Sequence, residues 1–366
     1  MSGDDVLIIG GGISGLAAAM QCQRLGLTWR LVEARARLGG RILSARDDDG
    51  SAFDLGPAWI WPHQRRIQAL VADLGLQLFA QHSTGTLAFE DAAGQVQRDL
   101  AFAPMAGTLR VVGGLQGVTD ALAARLPTDH LMLNHRATAI TPQGEGAGFR
   151  ITLSTPDGGP THSSARTVIL ALPPRLVASR IDLSTVCTDV GLEAMRGVPT
   201  WMAGHGKLVA VYDTPFWRAI GLSGDAISHR GPLMEVHDAC PGGEREGEGA
   251  GALFGFLHPA IVAQMPDEAD LKQAALHQLE ALFGADAARP RALFLKNWLA
   301  DDNTALPSDA MGQDHPPGGV PAPVQAMAQR GILFAGAEVA AEDPGLIEGA
   351  LAASDHAVAG IKRLIA

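Results

Sequence analysis

The sequence predicts an α/β protein: a parallel sheet flanked by helices, with a second α+β domain on a mixed, mostly antiparallel sheet. Three observations carry this. Residues 6–9 are a short, wholly apolar run that ends in a glycine-rich turn, as a buried parallel strand feeding a helix does. Two further apolar runs, 168–172 and 332–335, supply buried strands later in the chain. Elsewhere, stretches such as 86–89 and 149–154 alternate apolar and polar residues, the period of a half-buried strand.

The first element is the most informative. Gly10-Gly11-Gly12-Ile13-Ser14-Gly15 contains G-x-G-x-x-G. Residues 13–25 read as a helix, with Ile13, Leu16, Ala17, Met20 and Leu25 near one face and Gly26 placed to stop it. Residues 28–32 form a second strand with Glu33 at its carboxyl end. Gly10 permits the tight turn, Gly12 lets a pyrophosphate approach the backbone, and Gly15 lets helix and strand pack closely. Ile13 and Ser14 open the helix, whose unpaired N–H groups and dipole favour that anion. Glu33 has the spacing of a carboxylate that accepts from ribose hydroxyls.

Composition narrows the partners. Apolar residues make up 47% of the 366, enough for a real core, and the length suits about two domains. The net charge of −11 carries no basic stripe, which argues against nucleic acid. The 3 cysteines, Cys22, Cys187 and Cys240, have no pairing pattern and suit a reducing cytoplasm. The amino terminus is acidic and enters a strand at once, so no signal peptide is expected. No apolar run is long enough to predict a membrane span.

Residues 33–41, Glu33-Ala34-Arg35-Ala36-Arg37-Leu38-Gly39-Gly40-Arg41, resemble the E-A-R-x-R-x-G-G-R signature of FAD-dependent amine oxidases. Physically, two more glycines and three arginines suit a second pass of backbone and cation beside a diphosphate. The resemblance covers residues 4–364 and implies a glutathione reductase-type, Rossmann-like FAD domain. It places Ala34, Arg35, Gly39, Gly40 and Arg41 at the cofactor.

The remaining elements follow in order. Residues 52–60, AFDLGPAWI, resemble the segment that passes alongside the flavin ring, with Gly56, Pro57 and Ala58 small enough for backbone contact. Trp59 and Trp61 either line the site or fill core. Residues 63–76 read as a helix and 78–109 as a small β-hairpin with a turn at 91–94. The family's long helical insert is missing there, so the roof over the active site is reduced or supplied by a second copy in a homodimer. Residues 111–126 read as a helix entry, and 131–140 as a strand pair in which Ala137 would meet the adenine edge. Residues 201–217 resemble the family's x-x-K-x-x-x-x-Y-x-x-x-F-W segment, which gives Lys207 the role of holding a water against flavin N5. The alternative for Lys207 is a strand-end lysine reaching solvent. His237, Asp238 and Cys240 read as part of a loop without a fourth ligand, so no metal is expected. Residues 242–251 read as an acidic, flexible loop. Phe254 and Phe256 share one face of a strand at 253–257 and are candidates for the substrate pocket. A helix is expected at 267–283. Residues 296–298 resemble the K-N-W of amine oxidases and put Trp298 beside the flavin. The loop at 301–323 holds no cysteine where the covalent-flavin branch has one, so FAD should be non-covalent. The ending, Phe334-Ala335-Gly336-Ala337-Glu338 and 344–350, resembles the family's F-A-G-x-E … G-x-x-x-G-A. Gly336 and Glu338 would meet the ribityl and phosphate region. Leu346 and Ile347 would open a helix aimed at the flavin pyrimidine.

The expected division is 1–78, 110–197 and 297–366 for the FAD domain, with 79–109 and 198–296 for the substrate domain. The implied activity is oxidation of a small-molecule amine to an imine, with electrons passing to O2. Leu346 stands where one tyrosine of the family's two-tyrosine cage falls, and Tyr212 is the only tyrosine. The cage is therefore absent or built from Trp59, Trp61 or Trp298. Two alternatives stay open: a flavin-dependent desaturase acting on a C–C bond, and a flavin-binding protein without turnover.

Overall fold

A computed structural model describes residues 3–365, apart from 145, 147, 157, 243–248, 266 and 311–313. Most of the expected acidic loop at 242–251 lies outside the described residues, as do three residues of the loop expected at 301–323. The chain folds into two compact units, one of Met1–Arg41, Val118–Trp201 and Asn303–Ala366, the other of Ile42–Gly117 and Met202–Asp302.

In the first unit, strand Asp4–Ile9 lies parallel between Trp29–Val32 and Pro160–Leu170. The long strand Pro160–Leu170 changes partners along its length. Its polar first half pairs antiparallel with Phe149–Ser154. Its apolar end, Val168 to Leu170, runs parallel to Ile332–Phe334. The apolar runs are therefore the stretches buried in parallel pairing, as their lack of alternation requires. Leu7, Ile9, Ile140, Ile151, Val168, Leu170, Ile332 and Phe334 share one core. The turns after these strands bring Gly10, Glu33, Ala171 and Ala335 to one edge: Gly10 N–H donates to Val32, Ala171 N–H to Ile9, and Ala335 N–H to Leu170. In an open α/β sheet, ligands bind at this carboxyl edge. The expected helices appear as Ile13–Arg24 and Ile347–Ile365.

The second unit is built on a sheet in the order Ala292–Asn297, Gly206–Tyr212, Gly251–Leu257, Leu233–Asp238, Leu222–Ser228, Thr86–Glu90, Val96–Leu100. Its neighbours are antiparallel except for Leu222–Ser228 beside Thr86–Glu90. Helix Glu268–Phe283 is started by Asp267, whose carboxylate accepts from the N–H groups of Ala269 and Asp270. It buries Leu271, Ala275, Leu279 and Leu282 against Leu208, Ala210 and Leu253. The opposite side chains, Val209, Val211 and Phe254, pack on Phe53, Leu55 and Ala58.

That packing explains a difference from the expected division. Residues 42–78 and 110–117 were placed with the FAD domain, yet they fold with the second unit. Apolar residues 53–58 complete the second core, and Leu78–Ala80 pairs with Leu109–Val111. The hairpin expected within 78–109 is Thr86–Glu90 with Val96–Leu100, closed by Gly94 N–H on Asp91. A second correction concerns His237 and Asp238. They belong to a central strand and not to a loop, because the polar side chains are paired inside the unit. Helices Pro174–Arg180 and Asp189–Arg196 were not expected. Among the described residues, no helix is long and apolar enough to cross a membrane.

Phe53 is fully buried in the second core. Phe53→Ala should cost about 3–5 kcal/mol in chemical denaturation, through lost transfer energy and the cavity left behind. A loss below about 1 kcal/mol would contradict the packing described.

Candidate functional site

In the first unit, the glycines of the turn have separate physical causes. Gly10 has φ +112°, and a Cβ on Gly15 would lie 1.9 Å from the Gly10 carbonyl oxygen. Gly15 is thus required by the fold itself. Gly12 is not: a Cβ there would meet nothing nearer than 3.9 Å. The helix it opens has no side-chain cap and no acid in its first turn. An open space before an uncapped helix terminus is what an anion needs. Ser14, behind that terminus, donates to the carbonyl of Ala335 at 2.5 Å. Gly39 N–H donates to the Gly11 carbonyl at 2.8 Å, which lays the second glycine pair against the first. Ala34 and Gly40 are half-buried, and Gly40 has φ +59°.

Glu33 is 4% exposed, and its orientation is held by the backbone. One oxygen accepts from Gly11 N–H at 2.7 Å, the other from Arg35 N–H at 2.8 Å. Arg35 in turn donates to Thr304 Oγ1 at 2.8 Å. Glu338 is fully buried, with Arg41 Nη1 2.6 Å from one oxygen as an ion pair. That contact is off hydrogen-bond geometry, so both oxygens of Glu338 lack a hydrogen-bond partner. Orphaned buried acceptors call for donors, and hydroxyl groups of a bound nucleotide would supply them. Gly336 is dictated by packing, since its Cβ would meet the Leu172 carbonyl at 2.3 Å. Ile347 opens the last helix and Leu346 is half-buried before it. Ala137 is buried beside a bulge in strand Arg136–Pro142. The space before Gly12 and the Glu338 oxygens, which lack a hydrogen-bond partner, fit a dinucleotide cofactor.

The second unit holds a different cluster. Lys207 is 2% exposed, and its Nζ donates to the Gly56 carbonyl at 3.0 Å. The ammonium sits 3.7 Å from the centre of the Phe254 ring. Burial brings its pKa down to about 7, with Asp54 opposing and Arg110 adding to the shift. Asp54 is itself pushed up by burial, against hydrogen bonds from Ser44 Oγ and Leu115 N–H and the charges of Lys207 and Arg110. Arg110 donates to the carbonyls of Cys240 and Ala239 and leaves its Nε without a partner. Trp298, nearly buried, donates its Nε1–H to the Leu55 carbonyl at 2.9 Å. Residues 54–56 are therefore gripped at three successive positions, with half-buried Pro57 and buried Ala58 following.

Trp59 packs with His237, Phe254 and Phe256 at ring-centroid distances of 4.8, 5.1 and 6.1 Å. Trp61 is not brought into that group; its backbone closes a turn with Gln64 and Gln68. In the first unit, Trp201 lies against Gly345, beside Leu346, and its ring sits tilted against His315 with centroids 4.0 Å apart. Sequence reasoning missed Asp54, Arg110 and Trp201 as parts of these clusters, and read His237 as loop. Their partners are distant in the chain, so no spacing announces them.

Two substitutions separate fold from ligand. Gly15→Ala should lower the melting temperature or abolish soluble protein. Gly12→Ala should fold with an unchanged melting temperature and lose most of its bound dinucleotide on purification. A Gly12→Ala protein with full dinucleotide content would contradict the role given to that space.

A model described as flavin containing amine oxidoreductase matches residues 84–361, well over half the chain. A model described as an NAD(P)-binding Rossmann-like domain matches residues 8–74. Among similar curated proteins, a probable flavin-containing monoamine oxidase A of Dictyostelium discoideum is 23% identical, over 81% of this chain and 84% of its own. The putrescine oxidase of Kocuria rosea is 24% identical, over 82% of this chain and 83% of its own. The solved structure of cyclohexylamine oxidase from Brevibacterium oxydans superposes with a TM-score of 0.79 at 18% identity, covering 99% of each chain. By the first of these matches, the chain belongs to the flavin containing amine oxidoreductase family and is an FAD-dependent oxidoreductase of the amine oxidase type.

Proposed function

We propose that the chain binds FAD non-covalently and oxidises an amine to an imine, with O2 taking up the electrons. The observation that carries this reading is Lys207, a buried lysine whose Nζ donates to the Gly56 carbonyl and whose pKa burial lowers to about 7. Gly12, Glu33 and Glu338 would hold the nucleotide end of the cofactor. When bound, the flavin accepts a hydride equivalent from the amine-bearing carbon and passes two electrons to O2, giving hydrogen peroxide; water hydrolyses the imine. The chain's own residues do the rest. Trp59, Phe254 and Phe256 offer a low-dielectric wall that disfavours an ammonium at the reacting end, so the amine is held in its reactive neutral form. Lys207 Nζ holds a water or exchanges a proton, which its lowered pKa permits near pH 7. Trp298 fixes the backbone at Leu55 and so the segment to which Lys207 is tied.

Non-covalent attachment is supported by the thiols. Cys22 and Cys240 are buried, and desolvation raises both above the ordinary range, Cys22 to about 12. Cys187 is raised by burial too. A thiolate is the form that would attack a flavin. Acid precipitation should leave the flavin in the supernatant; a yellow pellet would contradict this.

The purified protein should be yellow, and an amine added under argon should bleach it. A yellow protein that no amine in a broad panel bleaches would overturn amine oxidation. In stopped flow, flavin reduction or reoxidation should show an inflection near pH 7 that Lys207→Met removes, with flavin content retained. The sign for stability is also set. Between pH 7 and 10.5 the unfolded chain binds a proton that folded Lys207 lacks, so folding gains with rising pH. The stability difference between wild type and Lys207→Met should therefore shift in favour of wild type from pH 7 to 9; a shift of opposite sign would remove the buried-lysine assignment.

A further inference from the structure

Ser44 and Asp54 stand opposite one another in the short antiparallel pair of Ser44–Arg46 with Ala52–Asp54, in the second unit. Ser44 Oγ donates to Asp54 Oδ1 at 2.7 Å, and the same oxygen accepts from Leu115 N–H at 2.9 Å. Gln116 N–H, the first of helix Gln116–Ala124, donates to Ser44 Oγ at 3.3 Å. The carboxylate is thus seated on the amino end of a helix, directly and through one hydroxyl, where negative charge is favoured. The backbone is shaped to admit it. Gly114 has φ +81°, and a Cβ there would lie 2.8 Å from Ser44 Oγ and 3.1 Å from Asp54 Oδ1.

Two buried cations share the surroundings of this carboxylate. Lys207 donates to the Gly56 carbonyl, two residues beyond Asp54 in the chain. Arg110 does not give up its proton, and its hydrogen-bond partners are the neutral carbonyls of Cys240 and Ala239. Both cations act electrostatically on Asp54. The other ionisable groups around Lys207 already have partners. Lys296 is opposite it in register, with Asp301 3.0 Å from its Nζ. On the other side, beyond Phe256, Glu235 is paired with His237 and His237 with Asp225. His205, two residues earlier in the chain, acts on Glu235. Asp54 is therefore the negative charge on which a proton at Lys207 depends.

We propose that Asp54, held by Ser44, is a positioning residue for the reaction: it keeps a proton available on Lys207 beside the fixed charge of Arg110. This rests on the place given to Lys207 in amine oxidation. Arg110 repels a proton from Lys207 and Asp54 attracts one, so the two act on its titration with opposite signs. Without the carboxylate, Lys207 stays neutral and has no proton to give. Without the Ser44 hydroxyl, burial favours a neutral Asp54, which moves Lys207 in the same direction.

NMR of flavin-loaded protein carrying 13Cε-labelled lysine tests this, because the chain has 4 lysines and Lys207→Met identifies the signal in question. Its titration midpoint should fall by roughly one unit or more in Asp54→Asn, which keeps an acceptor for Ser44 and Leu115. It should fall by less in Ser44→Ala and rise in Arg110→Gln. Neither of the last two leaves a buried cation without its counter-charge, so they decide the matter even where Asp54→Asn does not fold. The pH inflection of flavin reduction or reoxidation should move with the midpoint in each variant. A midpoint unmoved in Ser44→Ala and Arg110→Gln, or one that falls in Arg110→Gln, overturns this inference alone. So does a midpoint that moves while the inflection stays in place. The signal is read without any amine, so failure of the amine-oxidation reading shows separately, as flavin that no amine bleaches.

Discussion

The nucleotide end of the molecule depends on how closely one stretch of backbone approaches another. The Gly10 carbonyl stands where a Cβ on Gly15 would have to be. That contact seats the first helix against the strand it follows and aims its amino terminus over the sheet's carboxyl edge. Everything placed there inherits the geometry. Gly11 turns its N–H to Glu33, Gly39 reaches back to Gly11, and Ser14 ties the helix to the end of the last strand. A single methyl group at Gly15 would displace all of these together.

The second unit meets a different constraint, the burial of charge. Asp54, Lys207 and Arg110 are all nearly excluded from water. Desolvation of each is expensive, and a set of charges persists inside only with mutual compensation and hydrogen bonds. A neutral Lys207 leaves Asp54 and Arg110 to balance one another. A protonated Lys207 leaves an excess positive charge, held by Asp54, the Gly56 carbonyl and the Phe254 ring. These two states are close in free energy near neutrality, which is what proton exchange in catalysis needs. The same surroundings make the position poor for an ordinary solvent-facing lysine.

Legibility in the sequence followed chain separation. The glycine turn, Glu33 and the helix after it were readable because their geometry is set within a few dozen residues. The buried strands were readable as unbroken apolar runs. Residues 42–78 and 110–117 fold with the second unit and not with the first because Phe53, Leu55 and Ala58 take their partners from strands at 206–212 and 251–257, which no local pattern reveals. Strands Leu222–Ser228 and Leu233–Asp238 were missed because their buried positions include Ser223, Asp225, His237 and Asp238, which read as loop residues. Those polar residues are buried because each finds a partner: Asp225 pairs with His237 on the neighbouring strand, and Asp238 accepts from Trp217 and Arg218. Lys207 and Trp298 were marked by resemblance to a family, and the reason for the lysine's unusual chemistry, Asp54 and Arg110, appears only once the chain is folded.

The central claim is that the glycine turn, Glu33 and the second glycine pair form a seat for the adenine dinucleotide end of a flavin. Titration of flavin-free protein with FAD and with FMN, followed by the change in flavin fluorescence, tests this most directly. FAD should bind one per chain, and FMN, which lacks the adenosine phosphate half, should neither bind comparably nor compete. Equal affinity for the two, or a well-folded protein that takes up no FAD, would contradict the account.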